Sequence, residues 1–216
     1  MKKPLLWAGA FPVPNGRLFT NQRASIIIKG MRIFFGIRLA DAARESIARE
    51  LLPFKKIPVA IRWTESRNIH LTLKFIGEVP EAVPGRMAVA LRGAKITVPP
   101  FSFRIVGFGK FPAGAGLHIF WAGLAESAPL RALFDWIENA LAPLGIAKED
   151  RPFSPHITLG RNKSPGDFKE LFALLTEKCD LFLAECPASS FQLFSSQLTP
   201  AGPLYKVLEE FPLEQP

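Results

Sequence analysis

Apolar and polar positions alternate cleanly at two places in this chain, and each alternation opens on a histidine. The two runs are His70-Leu71-Thr72-Leu73 and His156-Ile157-Thr158-Leu159. A period of two is the signature of a strand, so histidine and threonine share one face and the aliphatic side chains the other. The histidines are 86 positions apart (156 less 70), and the same offset relates further elements. Met31-Arg32-Ile33-Phe34-Phe35-Gly36-Ile37 reads as a first strand, and its Phe34-Phe35-Gly36-Ile37 falls on Phe120-Trp121-Ala122-Gly123. Residues 41–56 read as an amphipathic helix with Ile47, Leu51 and Leu52 on one stripe. Shifted by 86 they land on a second helix at 127–142, where Leu133 and Ile137 continue the stripe. After each motif comes a turn bounded by Pro and Gly, then a helical stretch (81–94 and 166–178) and an apolar strand (101–108 and 189–197). A last strand over 204–211 follows the turn Thr199-Pro200-Ala201-Gly202-Pro203.

The order strand, helix, motif strand, helix, strand therefore occurs twice. Two halves related by an approximate twofold axis would bring both histidines to opposite walls of one groove. Residues 109–117 are the expected crossover, too short to let two lobes move independently.

Composition narrows the picture without deciding it. At 216 residues the chain suits one large domain or two small lobes sharing a core, and 19 Phe supply ample apolar area. Five of the eight net positive charges come from Lys2, Lys3, Arg17, Arg23 and Lys29, in a segment with no acid. Residues 1–30 are expected to be a disordered basic extension, or translated sequence upstream of a start at Met31. The remaining +3 suits transient approach to a polyanion but does not require one. Pro4, Pro12 and Pro14 interrupt any leader-like apolar helix, and no stretch is long and apolar enough for a membrane span. Cys179 and Cys186 have no histidine nearby and too few partners for a zinc site or a disulfide framework. The expectation is a reduced, cytoplasmic, metal-free protein.

The candidate chemistry is correspondingly spare. Two of the three histidines lie in the repeated motif. Each is a titratable group with a hydroxyl two residues on, which suits proton transfer beside a phosphate ester. Arg161, at the end of the second motif strand, could hold a phosphate or the backbone of a nucleic acid. Lys74 keeps the facing of His70 and Thr72 by alternation, with strand twist acting to turn it out of the cleft. Trp63 suits the core better than base stacking, and His118, which has no partner motif, suits a structural role. There is no phosphate-binding Gly-x-x-x-x-Gly-Lys-Ser/Thr loop, no dinucleotide-binding Gly-x-Gly-x-x-Gly, no Gly-x-Ser-x-Gly elbow and no paired-carboxylate pattern.

The sequence resembles the two-histidine (2H) phosphoesterases, specifically the LigT-like RNA 2′,3′-cyclic phosphodiesterases. The resemblance runs from Met31 to about Leu213. It rests on the first strand, Arg62-Trp63, the stretch Asn68 to Val79 and Phe120-Trp121-Ala122-Gly123, followed by Arg151-Pro152-Phe153-Ser154-Pro155 leading into His156–Arg161, and Gly202-Pro203-Leu204-Tyr205. Ser154 stands where the family often carries a basic residue. The resemblance implies an α+β fold, bilobal and internally duplicated, with antiparallel sheets lining a central cleft and helices outside. It implies a single bilobal domain over residues 31–213, acting as a monomer on RNA ending in a 2′,3′-cyclic phosphate and leaving a 2′-phosphate, with no cofactor and no metal. His70 and His156 are then the catalytic pair, with Thr72, Thr158 and Arg161 binding the substrate. The family assigns His156 as base and His70 as acid; the residue pattern alone fits the reverse equally well. Other expectations in reserve are RNA 3′-end trimming, hydrolysis of small cyclic nucleotides, 2′–5′ RNA ligation, and RNA binding without turnover.

Overall fold

The computed structural model describes residues 30–112, 116–162, 164–199 and 202–213. The expectation for residues 1–30 therefore lies, Gly30 apart, outside the described residues. In chain order the elements are β1 (Gly30–Arg38), α1 (Asp41–Glu50), α2 (Leu52–Lys56), β2 (Ile61–Trp63), β3 (His70–Pro80), α3 (Val83–Gly93), β4 (Phe101–Pro112), β5 (His118–Leu124), α4 (Ala128–Leu141), β6 (His156–Asn162), α5 (Lys169–Glu177), β7 (Phe182–Ala188), β8 (Ser190–Thr199) and β9 (Gly202–Pro212). They form two antiparallel sheets, β3-β1-β8-β9 and β2-β6-β5-β4-β7.

The duplication is real but interlocked. In each half the first strand pairs with the motif strand, β1 with β3 and β5 with β6. The third strand of each half crosses to the other sheet: β4 pairs with β5, and β8 with β1. The first helices cross as well, α1 packing on β7 and α4 on β3. Neither sheet is complete without strands from both halves, and this ties the two together more firmly than a short linker would. The core between sheets and helices is continuous and includes Phe35, Ile37, Ile47, Leu71, Phe103, Phe120, Leu133, Ile137, Ile157 and Phe191.

Several expectations are corrected. The helix over 41–56 is broken: α1 ends at Glu50, and Pro53, which has no N–H to give, opens α2. Leu52 consequently leaves the buried stripe and is 54% exposed. Residues 109–117 are no crossover, because β4 continues to Pro112 and pairs with β5 as a hairpin. Strands β2 and β7 add to the elements that the hydrophobic pattern predicts.

The offset of 86 holds for the motif strands but not for the first strands. Gly36 lies opposite Thr72 and Trp121 opposite Thr158, an offset of 85 (121 less 36). Phe35 thus matches Phe120, both in the core, while Phe34 matches Ile119 on the opposite face. The one-residue difference matters because a slip of one reverses every facing in a strand.

Candidate active site

Burial of alternate residues explains how the motif strands present their polar side chains. Leu71 and Leu73 in β3, and Ile157 and Leu159 in β6, are all at most 4% exposed. His70, Thr72, His156 and Thr158 are half-buried on the other face. The two motif strands are in contact with each other, each within its own sheet.

Each motif strand carries a bulge at the same point. Gly36 and Phe35 pair with Thr72 and Lys74, passing over Leu73, while Trp121 and Phe120 pair with Thr158 and Gly160, passing over Leu159. A bulge places two residues opposite one and shifts the alternation. The burial sequence is the same in both strands: half-buried, buried, half-buried, buried, buried, exposed. Lys74 is therefore turned into the core by the bulge rather than by twist. Its Nζ donates to Glu138 Oε1 at 2.5 Å and to the Ala147 carbonyl at 2.9 Å. The same shift restores Arg161 to the face of His156 and Thr158, which strict alternation would have denied it.

Both imidazoles are held by the same device. The Nδ1–H of His70 donates to the Asn68 carbonyl at 2.7 Å, and that of His156 to the Ser154 carbonyl at 2.9 Å. A carbonyl only accepts, so the neutral tautomer carries its proton on Nδ1 and presents Nε2 as the basic edge. The Thr72 hydroxyl donates to His70 Nε2 at 3.1 Å. His70 stacks on Phe34 at 4.8 Å and meets the edge of Tyr205 at 4.9 Å, while His156 meets Phe111 edge-on at 4.9 Å. Burial pushes the His70 pKa below 6.5, partly offset by the bond to Asn68. Burial also lowers that of His156, where the Ser154 carbonyl offsets the shift and the Arg161 guanidinium adds to it. Arg161 acts electrostatically on Tyr205 too, so its charge is felt on both walls of the cleft.

Arg161 acts on both His156 and Tyr205, and Tyr205 meets His70, so these residues form one neighbourhood, with Thr72 and Thr158 on the same strand faces as their histidines. Trp63 packs on Phe120 at 6.0 Å, as expected of a core residue. His118 sits among Phe120, Phe168 and Phe172 with its backbone N–H bonded to Asn162 Oδ1, a structural setting. Tyr205, which carries no site role in the sequence reading, joins this neighbourhood as the one tyrosine of a chain with 19 phenylalanines. Burial raises its pKa, which keeps it protonated as a donor. Among the described residues no three His, Cys, Asp or Glu side chains gather as metal ligands, and no helix is long and apolar enough to cross a membrane.

Comparison with known proteins identifies the family. The family model of the 2′-5′ RNA ligase superfamily matches residues 62–199. A Thermotoga maritima protein named RNA 2′,3′-cyclic phosphodiesterase is 33% identical over 184 residues, 85% of this chain and 96% of that one. An Aeropyrum pernix protein of the same name is 36% identical over 168 residues, 77% of this chain and 90% of its own. A crystal structure of a Thermus thermophilus protein superposes with a TM-score of 0.67 at 30% identity, covering 85% of this chain and 98% of that chain. Escherichia coli LigT complexed with 3′-AMP shares the fold at a TM-score of 0.69 and 24% identity, covering 87% of this chain and 100% of its own. With the family model matched over residues 62–199, relatives above 30% identity, and one histidine motif strand in each of two interlocked sheets, this chain belongs to the 2′-5′ RNA ligase superfamily.

Proposed function

We propose that the protein hydrolyses RNA 2′,3′-cyclic phosphate ends to 2′-phosphates, with His156 as general base and His70 as general acid. The observation that carries this reading is the matched tethering of the two imidazoles, each with Nδ1 on a backbone carbonyl, which turns Nε2 outward as the edge for proton transfer, that of His70 meeting the Thr72 hydroxyl. Opening the ring requires a proton to leave the attacking water and another to reach the departing 3′-oxygen, on opposite sides of phosphorus. Two imidazoles on facing strands match that demand, each contributing about 10²–10⁴-fold.

Burial lowers the pKa of both histidines, and the charges around each support the assignment of roles. Arg161 beside His156 favours the neutral ring, which a base must be. Burial favours the neutral ring at His70, so its role as acid rests on the negative charge that a bound phosphate brings, which favours the imidazolium. Thr72, Thr158 and Arg161 bind the non-bridging oxygens as charge builds on them. The names of the relatives support the substrate class.

The test is to incubate the protein with a short RNA ending in a 2′,3′-cyclic phosphate, with EDTA present, and to follow phosphorus by NMR. The expected product is the 2′-phosphate. A 3′-phosphate would reverse the leaving group, a shortened RNA would point to end trimming, and no turnover would overturn the reading.

A further inference from the structure

Beside His70 the structure opens a pocket of about 420 Å³, a volume suited to a small ligand. One side is the cleft face of the first sheet, with His70, Phe194, Tyr205 and Val207. The other is basic, with Arg38 at the end of β1, Arg44 on α1 and Arg67 in the turn before β3. The one carboxylate in the lining, Asp41, is paired with Arg44, so the three guanidinium groups outnumber acids in the wall. Arg67 also pairs with Glu65 at 2.7 Å, but the guanidinium is largely solvent-exposed and free to exchange that partner. None of the lining residues comes from β6, so the pocket belongs to the His70 side alone.

We infer that this pocket receives the RNA chain immediately 5′ of the cyclic phosphate, with Arg38, Arg44 and Arg67 meeting the first internucleotide phosphate. The inference rests on the hydrolase reading above and deepens it. In an in-line displacement at phosphorus the water and the leaving oxygen lie on opposite sides. The leaving 3′-oxygen belongs to the terminal ribose, so that ribose lies on the side of the acid. The ribose 5′-oxygen carries the rest of the RNA, which must leave the cleft past His70. A basic pocket with aromatic side chains at that exit suits a phosphate and its neighbouring nucleoside, and guanidinium groups bind phosphate through paired N–H donors. The protein would accordingly distinguish an RNA end from a free cyclic mononucleotide, which has no internucleotide phosphate to offer.

The test compares kcat/KM for a ribodinucleotide ending in a 2′,3′-cyclic phosphate with that for the matching mononucleoside 2′,3′-cyclic phosphate. The readout is the ratio of the two. In wild-type protein it should be about tenfold or more, the gain expected of charge-assisted contacts to one phosphate. It should fall toward one in the Arg38→Gln/Arg67→Gln double variant and as salt is raised. Arg92→Gln, which removes a guanidinium paired with Glu209 outside this pocket, should leave the ratio as in wild type. A wild-type ratio near one, or a ratio indifferent to the double variant, overturns the assignment while leaving the hydrolase reading intact. Failure to turn over either substrate overturns both.

Discussion

Replacing Lys74 with Met tests whether the bulge in the first motif strand is anchored by a buried ion pair. The side chains of Lys74 and Glu138 are 2% and 6% exposed. Besides its 2.5 Å contact with Glu138, the lysine donates to the Ala147 carbonyl, and the second Glu138 oxygen accepts the Glu149 N–H at 2.9 Å. Lys74→Met removes the cation and leaves Glu138 with that single N–H partner, in a setting where an unpaired charge costs about 3–5 kcal/mol. For a domain of this size each kcal/mol moves the melting temperature by about 2–4 °C, so a loss of about 6–20 °C is expected. The double variant Lys74→Met/Glu138→Leu removes both charges and should recover most of the loss, since apolar replacement of a whole buried pair is close to neutral. The assay is urea unfolding followed by circular dichroism, with the midpoint read at constant slope. A single variant within about 1 kcal/mol of wild type, or a double variant no better than the single, would refute the reasoning.

Three further outcomes follow from the site. Both cleft histidines are held below 6.5 by burial, so between the folded and unfolded pKa values the unfolded chain binds more protons. Their contribution to stability is complete above about pH 6.5 and is lost as pH falls through the folded values; urea midpoints between pH 7.5 and 5 should decline, and a flat or rising series would contradict the burial argument. Arg161→Gln should lower kcat by about 10²-fold, as loss of one transition-state donor does. Because Arg161 depresses the His156 pKa, the acid limb of kcat/KM should also move to higher pH in that variant, and an unmoved limb would place Arg161 away from the base. Gly36→Ala should destabilise the first sheet, because a Cβ there would come within 2.6 Å of the Leu71 carbonyl oxygen; thermal melting checks it.

The two motif strands were legible in the sequence because their alternation is short-range and their aliphatic residues are fully buried. The helix over 127–142 was legible for a similar reason: Leu130, Leu133, Ile137 and Leu141 keep one stripe, all buried in α4. What escaped was set by pairing partners distant in sequence. The three residues of β2 carry no period of their own and form a strand only because β6 offers them an edge. The bulges at Leu73 and Leu159 are likewise invisible in a hydrophobic pattern, yet they send Lys74 into the core and bring Arg161 onto the cleft face. Tyr205 reaches His70 only because β9 folds back beside β8 in the first sheet. The exchange of β4 and β8 between sheets could not be read from a linear repeat, which preserves the order of elements but not their partners.

The measurement that bears most directly on the account is the rate of opening of an RNA 2′,3′-cyclic phosphate by His70→Ala and by His156→Ala, each first shown to melt like a folded protein. The account predicts that each variant loses about 10²–10⁴-fold in kcat, as removal of a general acid or base does. A variant of either histidine that kept its rate within a few fold of wild type would contradict the two-histidine site.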